Sequence, residues 1–186
     1  MTALDGFLDT VQAAARAGAD AAAKVRAIVP LMDRLLAGGD VLAGRALKSD
    51  PERYTRNALR IAPDGTLSLY AIVWLPGQWT PVHDHGTWGV AGVVGGVLEE
   101  HAFVSPAGTV RRNDGIRLEP GGVVSLRPGS VTSFVPNPDH IHLTGTPEGN
   151  AGAVTLHLYG RALSSFHVYD VARGTRRLID VPHQES

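Results

Sequence analysis

The sequence predicts a mainly β fold, an antiparallel sandwich or barrel behind a short helical lead. Three observations carry this. From Leu67 onward, short β-prone runs alternate with turns rich in Gly and Pro. No helical periodicity separates those runs, so the strands are joined by hairpins and tight turns rather than by parallel crossovers. Residues 1–48 differ: they are Ala-rich, with Leu, Ile, Val and Met at the mixed spacing of amphipathic helices.

In order along the chain, Val25, Ile28, Val29, Leu31, Met32, Leu35 and Leu36 mark a helical stripe, and the lead is read as two or three short helices. Gly38-Gly39 is a C-terminal stop and Asp50-Pro51 a second break. Strands are expected at Leu67–Leu75, Val90–Phe103, Gly122–Leu126, Ser130–Val135, Ile141–Thr144 and Val154–Tyr159. Turn signals such as Gly95-Gly96, Asn113-Asp114-Gly115, Pro120-Gly121-Gly122, Pro128-Gly129 and Pro147-Glu148-Gly149 separate them. In the tail, Phe166–Asp170 and Arg176–Asp180 flank Arg173-Gly174-Thr175, which reads as a hairpin packed on the main body. The expected organisation is one domain: helices over 1–48, a barrel core over 49–165 and the hairpin over 166–186.

Composition limits the function. Lys and Arg number 17 against 18 Asp and Glu, a net charge of −1 that offers no electrostatic case for nucleic acid or an anionic membrane. Hydrophobic residues at 44% and charged ones at 19% argue against disorder. With no Cys, disulfides, zinc ribbons and thiol nucleophiles are excluded. No run reaches the about 18 apolar residues a membrane span needs. Asp5 and Asp9 stand where a secretory leader would be basic, so a cytoplasmic location is expected. Nothing in the sequence sets an oligomeric state.

Three constellations carry chemistry. In Thr80-Pro81-Val82-His83-Asp84-His85, the two histidines lie at i and i+2 and on a strand would face one space, as a divalent iron, copper, zinc or nickel ion requires. The plain alternative is a pair of surface histidines on a polar turn. The spacing Gly-x5-His-x-His from Gly77, with Gly96 beyond it, matches the first motif of the cupins, the double-stranded β-helix barrels. The usual glutamate ligand of that motif is absent: Gly89 and Val90 occupy its place, and Glu99 and Glu100 read as solvated strand residues. A third ligand is therefore expected from the second half, where His140 and His142 are candidates; His142, inside the strand-like run, is preferred. Three neutral imidazoles leave the metal charge uncompensated, which favours an anionic ligand such as a thiolate.

The second constellation is Thr155-Leu156-His157-Leu158-Tyr159. Alternation puts hydroxyl, imidazole and phenol on one face, either as a proton-holding chain or as structural hydrogen bonds in a polar lumen. The third is Tyr54-Thr55-Arg56-Asn57, where Arg56 is either a fork for a substrate carboxylate or a surface charge. His101, His167 and His183 have no partner pattern and are read as surface or strand-edge residues.

The ordered set resembles the cysteine dioxygenase family of thiol dioxygenases over about residues 50–160. The pieces are Tyr54-Thr55-Arg56-Asn57, Trp74-Leu75-Pro76-Gly77, His83-Asp84-His85, Gly96-Val97-Leu98-Glu99, His142 and Thr155-Leu156-His157-Leu158-Tyr159. The resemblance implies a cupin barrel holding Fe(II) on His83, His85 and His142, with a small thiol and O2 as substrates and a sulfinic acid as product. It implies that Arg56 grips the substrate carboxylate, that Tyr54 lines the pocket, and that Tyr159 sits near iron, oriented by His157 and Thr155. Departures are present too. The chain has no Cys for a Cys–Tyr crosslink, and Thr155 replaces a Ser. Tyr159-Gly160-Arg161 resembles the 3-mercaptopropionate dioxygenases, which carry Gln where this chain has Arg56. Arg161 is a second candidate for the carboxylate. Other classes to weigh are a metal-dependent cupin of different chemistry and a non-catalytic cupin that binds a small acid.

Overall fold

The computed structural model describes residues 2–17, 20–136, 140–181 and 184–185. Two helices open the chain, α1 (Ala3–Arg16) and α2 (Ala21–Ala37). Thr2 caps α1 through a reciprocal box with Asp5, and Asp20 caps α2 by accepting from the Ala23 N–H at 2.7 Å. Gly38 ends α2 at the expected stop.

The strands are β1 (Thr55–Ile61), β2 (Ser68–Trp74), β3 (Gly89–Gly96), β4 (Leu98–Val104), β5 (Glu119–Leu126), β6 (Val131–Phe134), β7 (Ile141–Gly145), β8 (Ala153–Tyr159), β9 (Ser165–Asp170), β10 (Thr175–Asp180) and β11 (Gln184–Glu185). One sheet runs β11-β1-β2-β8-β3-β6. Facing it are the β5-β4-β7 sheet and the β9-β10 hairpin. The segment between β2 and β3 joins these two pieces. Thr80 N–H donates to the Thr144 carbonyl of β7 at 2.8 Å, and Tyr169 N–H of β9 donates to the Val82 carbonyl at 2.8 Å. His83 bridges both His142 and Val168. The second sheet of the barrel is thus completed by the His-Asp-His segment itself. Two facing sheets, antiparallel except for the short β1–β11 pair and closed this way, form the cupin double-stranded β-helix.

Alternation explains how the large sheet is buried on both sides. Leu69 and Ala71 of β2, Val90 of β3 and Leu156 and Leu158 of β8 pack with Leu4, Val11, Ile28 and Met32 of the helices. Tyr70, Ile72 and Trp74 of β2 and Tyr159 of β8 join Leu98, Leu126 and Phe166 of the facing elements in a second cluster inside the barrel. The helices therefore cover the outer face of the large sheet. Burying about 25 cal/mol per Å2 of apolar surface there also excludes water from the backs of the strands that carry the interior polar residues.

Several element boundaries differ from expectation. Pro120-Gly121-Gly122, expected as a turn, lies inside β5, which begins at Glu119. Thr55–Ile61, inside the expected barrel core but not among the expected strands, is a strand paired with β2. Its polar residues Arg56 and Asn57 are buried, so it has no hydrophobic alternation to reveal it. The run Val90–Phe103 is two strands, broken where Gly96 adopts φ +76° and where a Cβ would lie 1.9 Å from the Gly152 carbonyl oxygen. No helix among the described residues is long and apolar enough to cross a membrane. His183 lies outside the described residues.

Candidate metal centre

His83, His85 and His142 converge inside the barrel and are all buried. Each offers a ring nitrogen, and the three nitrogens lie within 4.8 Å of one another. Ring centroids are 4.7 Å apart for His83 and His85, 4.6 Å for His83 and His142, and 5.1 Å for His85 and His142. Backbone pairing brings the late histidine to the early ones. His83 N–H donates to the His142 carbonyl at 2.8 Å and His142 N–H returns to the His83 carbonyl at 3.0 Å.

The trio fits a divalent transition metal on three observations. His83 Nδ1–H can donate to the Pro81 carbonyl at 3.0 Å, which leaves Nε2 as its ligand atom. His85 Nδ1 and both His142 ring nitrogens are buried without a hydrogen-bond partner. Burial first, and then the neighbouring imidazoles, hold His83 and His85 well below the ordinary histidine value. Burial lowers His142 too, against an opposing pull from Glu100. The rings are therefore neutral, the state in which imidazole binds metal.

The trio opens on a small cavity lined by Tyr54, Arg56, Trp74, His157 and Tyr159, with Ile72, Leu163 and Phe166 as apolar wall. Tyr159 stacks on His85 with centroids 5.3 Å apart. Tyr159 Oη is 3.2 Å from His157 Nδ1, His157 Nε2 is 2.9 Å from Thr155 Oγ1, and Trp74 Nε1–H donates to Thr155 Oγ1 at 2.9 Å. Burial, with help from His142 and Arg56, lowers His157 to about 3. Burial raises the Tyr159 phenol above its usual range.

Arg56 enters the cavity from β1. Its Nη2 donates to the Leu163 carbonyl at 2.8 Å, and its guanidinium lies 4.2 Å from the centre of the Tyr70 ring. Its Nη1 is buried without a partner. Tyr54 stacks on Trp74 at 4.7 Å. Arg161 does not line the cavity. Its guanidinium donates to the His85 carbonyl at 2.9 Å and also to the Ser165 carbonyl. Those backbone bonds engage Nε and Nη2, so the structure places Arg161 beside His85 rather than in the cavity with Arg56.

Several site residues escaped the sequence reading. Glu100, expected to be solvated, is buried, with Oε1 3.2 Å from His140 Nε2 and 3.5 Å from His142 Nδ1. Burial acts to raise its carboxyl, but the contacts with His140 and His142 reverse this and leave it well below the usual range. The signal was parity: Leu98, an evident core residue, shares its face. Asp84, between the two ligand candidates, is also buried. It accepts from Tyr169 Oη at 2.8 Å and lies 3.1 Å from His167 Nδ1, so His167 has a partner after all. His101 pairs with Glu99 on the outer side of β4. Phe134 lies between His85 and His140, at 4.4 Å and 4.6 Å between centroids.

Among solved structures, a conserved protein with a double-stranded β-helix domain from Klebsiella pneumoniae is 14% identical, covering 67% of this chain and 90% of its own, at a TM-score of 0.48. A cupin-like protein from Thermotoga maritima is 15% identical, covering 73% and 86%, at 0.42. These likenesses concern the course of the backbone. The sequence family described as cysteine dioxygenase type I matches residues 7–172, from α1 into the C-terminal hairpin. A match over that span, with the histidine trio inside it, means that the chain belongs to the cysteine dioxygenase type I family.

Proposed function

We propose that this protein is a non-haem Fe(II) thiol dioxygenase that converts a small carboxylated thiol, cysteine or a 3-mercaptopropionate-like acid, to its sulfinic acid. The observation that carries the reading is one cavity holding a neutral histidine trio, a buried arginine with a free donor and a buried phenol. The overall change is RS⁻ + O2 → RSO2⁻: the O–O bond breaks, two S–O bonds form and sulfur is oxidised. The chemistry supplied by Fe(II), when held by His83, His85 and His142, is the joining of thiolate and O2 at one centre.

The chain's own residues do the rest. Arg56 Nη1 offers a charge-assisted hydrogen bond to the carboxylate, and the Leu163 carbonyl and Tyr70 ring fix its fork beforehand. Neutral His157 carries one ring proton. Placed on Nδ1, it is donated to Tyr159 Oη while Thr155 Oγ–H donates to Nε2, and every donor back to Trp74 is used. Placed on Nε2, it leaves the buried Thr155 hydroxyl proton unmatched. The first arrangement frees the Tyr159 O–H to donate into the cavity, toward sulfur or its oxygens. Ile72, Leu163 and Phe166 exclude water from the reacting atoms. A cytoplasmic setting, where thiols are kept reduced, belongs to the same reading.

The test is oxygen uptake by iron-loaded protein with cysteine, 3-mercaptopropionate, mercaptosuccinate and cysteamine, with products weighed by mass spectrometry. A carboxylated thiol is expected to consume one O2 and gain two oxygen atoms. Protein shown to hold iron, yet consuming no oxygen with any of the three acids, would refute the reading.

A further inference from the structure

Glu100 lies outside the cavity lining, yet its carboxylate is buried against two histidines. β4 pairs with β7 so that Glu100 stands opposite Thr144 and Ala102 opposite His142, which puts Glu100 diagonal to His142 on the interior face. Oε1 lies 3.5 Å from His142 Nδ1, an ion-pair distance that a small rotation closes to a hydrogen bond. His142 Nδ1 has no hydrogen-bond partner. On the other side His140 Nε2 is 3.2 Å from the same oxygen, and the His140 ring is held flat on Phe134 at 3° and 4.6 Å.

We propose that Glu100 is a positioning residue for the metal centre: its carboxylate accepts a hydrogen bond from the Nδ1–H of His142, fixes Nε2 as the ligand atom and sets a negative charge one imidazole away from the metal. His140 clamps that carboxylate. The inference rests on the reading of His83, His85 and His142 as metal ligands. A ligating histidine needs its second nitrogen engaged to fix tautomer and ring angle, and a carboxylate partner also raises its basicity. His83 has a neutral carbonyl in that role. His142 has the one carboxylate, and it offsets in part the charge that three neutral imidazoles leave uncompensated.

The experiment compares full-length wild type, Glu100→Gln, His140→Gln and His142→Ala. It measures the Fe(II) dissociation constant by chelator competition, metal content per chain, the EPR spectrum of the iron–nitrosyl complex, and the unfolding midpoint of the metal-free proteins. Glu100→Gln keeps the size and removes the charge, so Fe(II) affinity is expected to fall about 10- to 100-fold with a shifted EPR spectrum. His140→Gln is expected to move both in the same direction, by less. Wild-type affinity and spectrum in Glu100→Gln, with only a lowered metal-free midpoint, would make its role structural and overturn the proposal. If Glu100→Gln does not fold, unchanged affinity and spectrum in His140→Gln overturn it. The donor atoms of Glu100, His140 and His142 also lie within 4.8 Å of one another. Two metals per wild-type chain, falling to one in Glu100→Gln, would make Glu100 a ligand and overturn the positioning role. Full metal binding by His142→Ala would instead remove the ligand trio, and with it this inference.

Discussion

Arg56 keeps Nη1 buried and unpartnered while Nη2 is held by the Leu163 carbonyl. An unmatched buried cation donor is costly unless an anion completes it. Arg56→Ala is therefore expected to raise the KM for carboxylated thiols by about 10- to 100-fold, matching the about 1.5–3 kcal/mol of a charge-assisted hydrogen bond. Cysteamine, which has no carboxylate, is expected to change little; an equal effect on both would remove the grip. His83→Ala leaves two imidazoles and is expected to abolish stable iron loading, as read by metal analysis. His83 and His85 were legible as ligand candidates because i and i+2 spacing is a local property. The partners of Asp84, Glu100 and His167 were not, because a charged side chain on a strand looks the same whether it meets water or a histidine from another strand.

At the scale of elements, β8 carries the Thr155–His157–Tyr159 hydrogen-bonded chain and the strand pairing together. Thr155→Val removes one hydroxyl and leaves Trp74 Nε1–H and a His157 nitrogen unmatched in the interior. The expected cost is about 1–3 kcal/mol in denaturant unfolding, together with slower turnover. Thr155→Ser, which keeps the hydroxyl, should retain most of the activity, and equal losses in both variants would show that the hydrogen-bonded chain has no part in turnover. The break between β3 and β4 is enforced by Gly96, where φ is +76° and a Cβ would lie 1.9 Å from the Gly152 oxygen. Gly96→Ala is expected to destabilise by several kcal/mol, about 1–2 of which is left-handed backbone strain. A midpoint near wild type would show that the corner relaxes freely. The β runs after Leu67 were readable because turn residues punctuate them. β1 was not, because its Arg56 and Asn57 are buried by particular partners rather than by apolar character.

For the whole molecule, interior histidines couple stability to pH and metal. In the metal-free fold His83, His85, His142 and His157 are all held below the ordinary histidine value by burial, His157 at about 3. The unfolded chain takes up protons as pH falls through about 6.5, while the folded chain stays neutral. Their contribution to stability is thus complete above about pH 6.5 and is lost as pH falls toward the folded values. For His157 alone the loss at pH 5 is about 2 kcal/mol, at about 1.4 kcal/mol per unit. Urea midpoints of metal-free protein at pH 7 and pH 5 check this, and no decline would contradict neutral burial. Metal at a hundred times its Kd adds about 2.7 kcal/mol. At about 2–4 °C per kcal/mol for a chain of this size, removal by chelator is expected to lower Tm by about 5–10 °C.

Sequence alone determined the helical lead, the antiparallel barrel and the kinds of group available for chemistry. Periodicity, turn residues and i, i+2 spacing are short-range and are written directly in the chain. Only the tertiary structure decided which histidine from the second half meets the first pair, that Arg161 is bound to backbone carbonyls, and that Glu100 stands behind His142. Those outcomes depend on strand register between segments far apart in the chain. Register is fixed by how the whole barrel buries its two faces, a property no local stretch contains.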